Sequence, residues 1–217
     1  MDFANINFEY IAIVVIIVFF SMVLHEVMHG LVALWLGDTT AKDDGRLTLN
    51  PFKHIDPFLT ILLPVILAIA GLPIFGGAKP VPFRPDKVKG GDWGAALVGI
   101  AGPLTNLFLA FIFFAVLVLF DVRTASLIEE FLDVGIMVNL GFFAFNILPI
   151  PPLDGSRVIY AIAPPRIKQA MESIEHVGLI VVFAVVMLAS PFIGFIVNYI
   201  VQFVLMIFSR IFGVNVV

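Results

Sequence analysis

Apolar residues gather in five long stretches separated by polar or proline- and glycine-rich connectors: Tyr10–Leu36, Pro57–Phe75, Trp93–Phe120, Val134–Ile150 and Val177–Phe212. A helix that crosses a bilayer needs about 20 apolar residues, within a range of roughly 17–25. The first stretch carries a polar cluster, His25-Glu26-Val27-Met28-His29, and is stopped by Gly37 and Asp38. The second is broken by Pro64, Gly71 and Pro73. The third holds Gly102-Pro103 and a lone Asn106, and the fourth runs out into Asn146-Ile-Leu-Pro-Ile-Pro-Pro-Leu-Asp154-Gly155. The fifth is long enough for two spans, and Ser190-Pro191 near its middle predicts a tight hairpin, with one kinked span as the alternative. The pattern predicts an all-α polytopic membrane protein. It has about five to six transmembrane helices, a re-entrant segment and a short extended, β-like loop.

Composition narrows the function classes. Of 217 residues, 61% are hydrophobic and 13% charged, too apolar for a soluble domain or a disordered chain. There is no cysteine, which excludes a disulfide scaffold. A net charge of −4 with dispersed cations excludes a nucleic-acid footprint.

The cations also set the topology. If 57–75 is re-entrant, the loops 38–56, 76–92 and 151–176 share one side and carry ten of the 12 Lys and Arg. The other side keeps Arg123, and Arg210 joins the ten if 177–212 is a hairpin. The positive-inside rule selects that arrangement, which is five spans plus one re-entrant segment, an outside N-terminus and cytoplasmic loops. A full span at 57–75 would instead split the basic loops between the two faces.

His25 and His29 are four residues apart, about 40° round a helix, so both imidazoles reach one metal ion. Glu26 sits beside them, within reach of an attacking water. Two histidines and a glutamate inside a lipid-soluble helix are unfavourable by several kcal/mol unless paired or metal-bound. The ligand types fit zinc, and a catalytic zinc takes about three protein ligands. Asp154, His54, His176 and the loop acids are candidates for the third. Asp154 ends on the cytoplasmic side of the predicted topology, level with the histidines, although by itself it reads more readily as the N-cap of a helix starting near Ser156. His54 beside Asp56 and His176 beside Glu175 read more simply as solvated or hydrogen-bonded loop residues.

The pairing of HEVMH at 25–29 with NILPIPPLDG at 146–155, and AGPLTN at 101–106 between them, resembles the site-2 proteases, intramembrane zinc metalloproteases. The resemblance implies one zinc per chain on His25, His29 and Asp154, with Glu26 as the catalytic glutamate and Asn146 as a second catalytic residue. It implies cleavage of peptide bonds within or near transmembrane segments of membrane-protein substrates, in the cytoplasmic half of a cell membrane. The chain resembles the minimal form, without PDZ-like or nucleotide-sensing domain. It would be a single membrane-embedded metalloprotease domain over 1–217, with a motif-bearing core at 10–163 and a C-terminal helical hairpin at 172–213. Glu26 would act as general base and then as acid toward the leaving amine. Asn106 or Asn146 could add an amide donor, although a packing hydrogen bond explains Asn106 as well. The segment Gly76–Phe83, extended by its prolines, offers an edge for a substrate strand. Water would reach the site from the cytoplasmic loops. A non-catalytic metal-binding membrane protein or transporter is the alternative, and a zinc enzyme acting on lipid or on a modified peptide end a third reading; Glu26 favours an enzyme.

The cysteine-free chain lends itself to a topology test. A single cysteine at Lys87 is expected to resist an impermeant thiol reagent outside the cell and to react after permeabilisation; labelling from outside overturns the topology.

Overall fold

The first apolar stretch forms helix α1 (Phe8–Trp35) in the computed structural model, which describes residues 7–71, 76–122 and 126–214, the side chains of 176, 177, 179–188 and 190 excepted. Asn7 caps the start of α1 by accepting the Tyr10 N–H at 3.0 Å. At the other end Gly37 takes φ +104°; its N–H donates to Leu34 O and that of Asp38 to Ala33 O. Such paired bonds close a helix on a left-handed residue, a backbone that glycine adopts without strain.

A short helix α2 (Thr40–Asp43) and a 3-10 turn at Pro51–Lys53 follow. The second apolar stretch opens as a π-helical turn, Pro57–Leu62, capped by the Asp56 carboxylate, and continues as α3 (Leu63–Ile69). These 13 residues reach only about 20 Å, too short to cross the bilayer. The chain then returns to where it left, because Gly77 N–H donates to Leu59 O (3.2 Å) and Thr60 Oγ1 to Gly77 O (2.7 Å). That return is compatible with the re-entrant reading of 57–75. Gly76–Phe83 is extended, as its prolines require, and no strand forms among the described residues.

The remaining elements are α4 (Gly91–Leu119), α5 (Leu127–Asn146), α6 (Ser156–Ile162), α7 (Pro165–Val177) and α8 (Leu179–Phe212). Three differences from the sequence pattern have physical causes. The connector before Val134 is partly helical: α5 starts at Leu127, where Ser126 Oγ accepts the Glu129 N–H and the acids Glu129 and Glu130 meet the positive end of the helix dipole. Helix α4 continues through Gly102-Pro103. The hairpin expected at 172–213 is also corrected, since α8 is one helix of 34 residues with Pro191 inside it. A single proline removes one intrahelical bond and leaves the neighbouring turns intact, so it bends a helix more readily than it reverses one. The only break nearby among the described residues is at Gly178 (φ +51°), between α7 and α8. Arg123, the cation expected on the outer side, lies outside the described residues.

Helices α1, α4 and α5 pack together, and α8 closes on α4 and α5. Ala110 and Phe114 of α4, Ile136, Leu140 and Ala144 of α5, and Val201, Val204 and Phe208 of α8 form the largest core. Ile13 and Ile17 of α1 meet Val134 of α5 near one end of the bundle, and Ala33 meets Val88 and Val98 near the other. In lipid, helices gain little from hiding apolar surface from one another, so close contact and internal hydrogen bonds hold them. Helix α4 accordingly faces its neighbours with Gly94, Ala95, Ala96, Gly99, Ala101 and Gly102, all buried.

The fully buried Asp38 ties the end of α1 to the extended segment. Its carboxylate accepts the Thr40 N–H and hydroxyl at 3.0 and 2.5 Å and the Arg84 N–H at 2.5 Å. Burial alone would raise its pKa, but the bonds from Thr40 and Arg84 outweigh that and hold it below the ordinary 3.8. A lowered carboxylate stabilises the fold above its unfolded pKa and loses that contribution as pH falls through the folded value. Asp38→Ala is expected to destabilise the detergent-solubilised protein by roughly 2–3 kcal/mol at neutral pH. In thermal unfolding across pH, the gap from wild type should begin to close as pH falls below 3.8; a gap independent of pH would contradict this role.

Candidate metal centre

Helix α1 presents His25 and His29 on one buried face, 7% and 8% exposed. The Nδ1–H of His29 donates to the Val98 carbonyl at 2.7 Å, and that of His25 to Asn106 Oδ1 at 2.6 Å. Since a carbonyl oxygen can only accept, each neutral ring carries its proton on Nδ1 and turns the lone pair of Nε2 inward. The two Nε2 atoms are 3.0 Å apart, with the rings at 81°.

Asp154 completes the group. Its Oδ2 lies 3.1 Å from His25 Nε2 and 3.5 Å from His29 Nε2. The motif 146–155 explains how it gets there. Helix α5 stops at Asn146, the prolines that follow cannot continue it, and Gly155 N–H returns to Asn146 O at 2.7 Å. Gly155 must be glycine, because a Cβ there would run into the Ile147 carbonyl. The loop settles against α4 at Gly99, where a Cβ would crowd Arg157 and the Asp154 carbonyl. Helix α6 carries no side-chain cap, so the N-cap role that Asp154 could have had by sequence is not the one it plays.

Three acceptors facing one another in this way could hold a metal ion. The geometry suits zinc: ligands about 2.0–2.1 Å from a tetrahedral zinc stand about 3.3 Å from one another, against 3.0, 3.1 and 3.5 Å here. Gly102 keeps the space open, since a Cβ at that position would overlap both Nε2 atoms. Among the described residues this is the one cluster of three such side chains.

The other candidates go elsewhere. His54 is fully buried in its own loop, with Nε2 against Thr48 O at 2.8 Å. The side chain of His176 lies outside the described residues. Asn146 directs its Nδ2 to Phe142 O at 3.0 Å, so its visible contribution is the carbonyl that holds Gly155. Asn106 gives its oxygen to His25 and its amide nitrogen to Asn139 Oδ1 at 2.9 Å, which favours its packing role over a donor to substrate. Glu26 Oε2 accepts the Val81 N–H at 2.7 Å. Two contributors escaped the sequence, Asn139 and the Val81 backbone. Asn139 stood out only as one polar residue in an apolar run, and a backbone N–H leaves no mark on a sequence.

Gly102→Ala offers a sharp check. Alanine favours a helix interior by up to about 1 kcal/mol over glycine, so helicity should hold while zinc per chain falls severalfold. Undiminished zinc would show that the ion sits elsewhere.

Residues 121–189 match the model of Peptidase family M50. Over 174 residues the chain is 43% identical to YwhC of Bacillus subtilis, named as a zinc metalloprotease, covering 77% of this chain and 76% of YwhC. Over 177 residues it is 32% identical to Rip2 of Mycolicibacterium smegmatis, named likewise, covering 79% of this chain and 64% of Rip2. It is 27% identical over 151 residues to the zinc metalloprotease MJ0392 of Methanocaldococcus jannaschii, of which it spans 34%. No solved structure matches. With the paired motifs meeting in space and a relative this similar over more than three quarters of both chains, the chain belongs to peptidase family M50, the site-2 protease family of zinc metalloendopeptidases.

Proposed function

We propose that the protein cleaves peptide bonds within or near the transmembrane segments of other membrane proteins, with one zinc per chain on His25, His29 and Asp154 and with Glu26 as general base. The carrying observation is the convergence of those three donor atoms at 3.0–3.5 Å on helix α1, one of three described helices long and apolar enough to cross a membrane. When bound, zinc supplies a Lewis acid that acidifies water and polarises a carbonyl. The rest is done by the chain. Val81 N–H engages Glu26 Oε2, which leaves Oε1 to take a proton from the attacking water and return it to the leaving amine. Asn106 and the Val98 carbonyl keep the imidazole protons away from the centre. A donor role for Asn146 toward the developing negative charge would require its amide to leave Phe142 O.

The extended segment supports recognition of an unwound substrate. The N–H groups of Gly77, Lys79 and Val81 are all engaged by the protein, on Leu59 O, His54 O and Glu26. Neighbours alternate in direction along an extended chain, so Ala78, Pro80 and Pro82 form the opposite edge, with three carbonyls and one N–H. A substrate strand added there would donate more hydrogen bonds than it accepts.

With α8 as a single span, the cations divide between the faces as before, except that Arg210 moves to the outer side. The zinc centre then lies in the cytoplasmic half of a cell membrane, near the basic loops.

Reconstituted with a transmembrane substrate, Glu26→Gln is expected to lower cleavage by about 10²–10⁴-fold with zinc retained, while Asp154→Ala loses the metal. Full cleavage by Glu26→Gln removes Glu26 as the base. A wild type that holds zinc yet cleaves nothing points to the non-catalytic alternative.

A further inference from the structure

Asn139 hydrogen-bonds to Gly135 and Asn106, and lies at the start of a directional chain that ends on His25. Asn139 and Asn106 are both fully buried. The carbonyl of Gly135 takes a hydrogen bond from Asn139 Nδ2 at 2.8 Å. Asn139 Oδ1 therefore faces Asn106 and accepts its Nδ2–H at 2.9 Å. Asn106 Oδ1 in turn faces His25 and accepts its Nδ1–H at 2.6 Å. Because a backbone carbonyl can only accept, it sets the direction of the first amide, and each amide sets the next. An amide turned over would oppose N–H to N–H or oxygen to oxygen.

We propose that Asn139 is a positioning residue of the metal centre: through Asn106, the Gly135 carbonyl of α5 sets the tautomer and ring orientation of His25 on α1. The inference rests on the reading of His25 as a zinc ligand. An Asn106 turned over would present N–H to Nδ1, move the imidazole proton to Nε2 and remove the lone pair on the metal side. Ser21 O, 3.5 Å from Asn106 Nδ2, is too distant to hold that amide alone. His29 needs no such relay, since its Nδ1 donates directly to the Val98 backbone. The two histidines of one motif are thus oriented by different means, one by the neighbouring backbone and one by a relay across three helices.

The test is zinc affinity of the full detergent-purified chain, measured by competition with a chromogenic chelator. Asn139→Leu keeps the bulk and removes both polar links, and is expected to weaken zinc binding by about 10- to 100-fold. Asn139→Asp, protonated in this apolar setting, keeps the chain's direction with its O–H on Gly135 O and its other oxygen toward Asn106. It should remain within a few-fold of wild type. Leu140→Ala, at the next and equally buried position, should lower thermal stability and leave zinc affinity unchanged. Wild-type affinity in Asn139→Leu overturns the proposal. So does a loss in Asn139→Asp equal to that in Asn139→Leu, or a loss in Leu140→Ala that tracks stability. Should Asn139→Leu fail to fold, ¹⁵N-histidine NMR of the zinc-free wild type decides: a proton on Nδ1 of His25 supports the relay, and one on Nε2 overturns it. A wild type that binds no zinc overturns the ligand reading and the relay together, whereas the variants alone bear only on the relay.

Discussion

Inside a bundle surrounded by lipid, an imidazole has no water to satisfy it, and every polar atom must find a partner within the protein. His25 and His29 meet that demand on one side with Asn106 and the Val98 carbonyl. On the other side they face each other and Asp154. A cation between them would satisfy those lone pairs, and the proposed zinc site follows from that need. Much of the molecule's architecture serves to bring a carboxylate from beyond the end of α5 to a pair of rings in the middle of α1.

Helix α4 makes that possible. Its surface of glycine and alanine lets the imidazoles close on Gly102 and the Asp154 loop close on Gly99. Larger residues would hold these elements apart by the thickness of a side chain, and a metal bond tolerates only a few tenths of an ångström. Pro103, with no N–H, frees the Gly99 carbonyl from its intrahelical bond in the region where the loop docks. The AGP part of the AGPLTN segment thus belongs to the centre through what it lacks as much as through what it supplies.

The extended segment is held as firmly as the helices, although it has no regular partner. Asp38 grips it at Arg84, Glu26 at Val81, Arg46 at the Lys79 carbonyl, and Leu59 and Thr60 at Gly77. The N–H groups of its inner edge are engaged, while the other edge offers three carbonyls and the Ala78 N–H. Glu26 and the proposed substrate-binding edge are thereby joined directly through the Val81 N–H.

By itself the sequence determined which stretches are apolar enough to form the long helices, because hydrophobic length acts locally. It also determined which residues could form the centre, because HEVMH on a helix places its histidines on one side whatever surrounds them. The proline and glycine breaks in 57–75 and the loop charge suggested a re-entrant segment, and the shortness of the helix at 57–69 fits that reading. The paired motifs already named Asp154 as the third member; only the tertiary structure decided how its loop reaches the histidines, that Asn106 serves His25, and that Asn139 stands behind it. Those outcomes depend on residues 33 to 129 positions apart meeting within about 3 Å, which no local preference encodes. The C-terminal helix shows the same limit from the other side: a Ser-Pro pair marks a weak point, but whether a weak point bends or reverses a helix is settled by what packs along it.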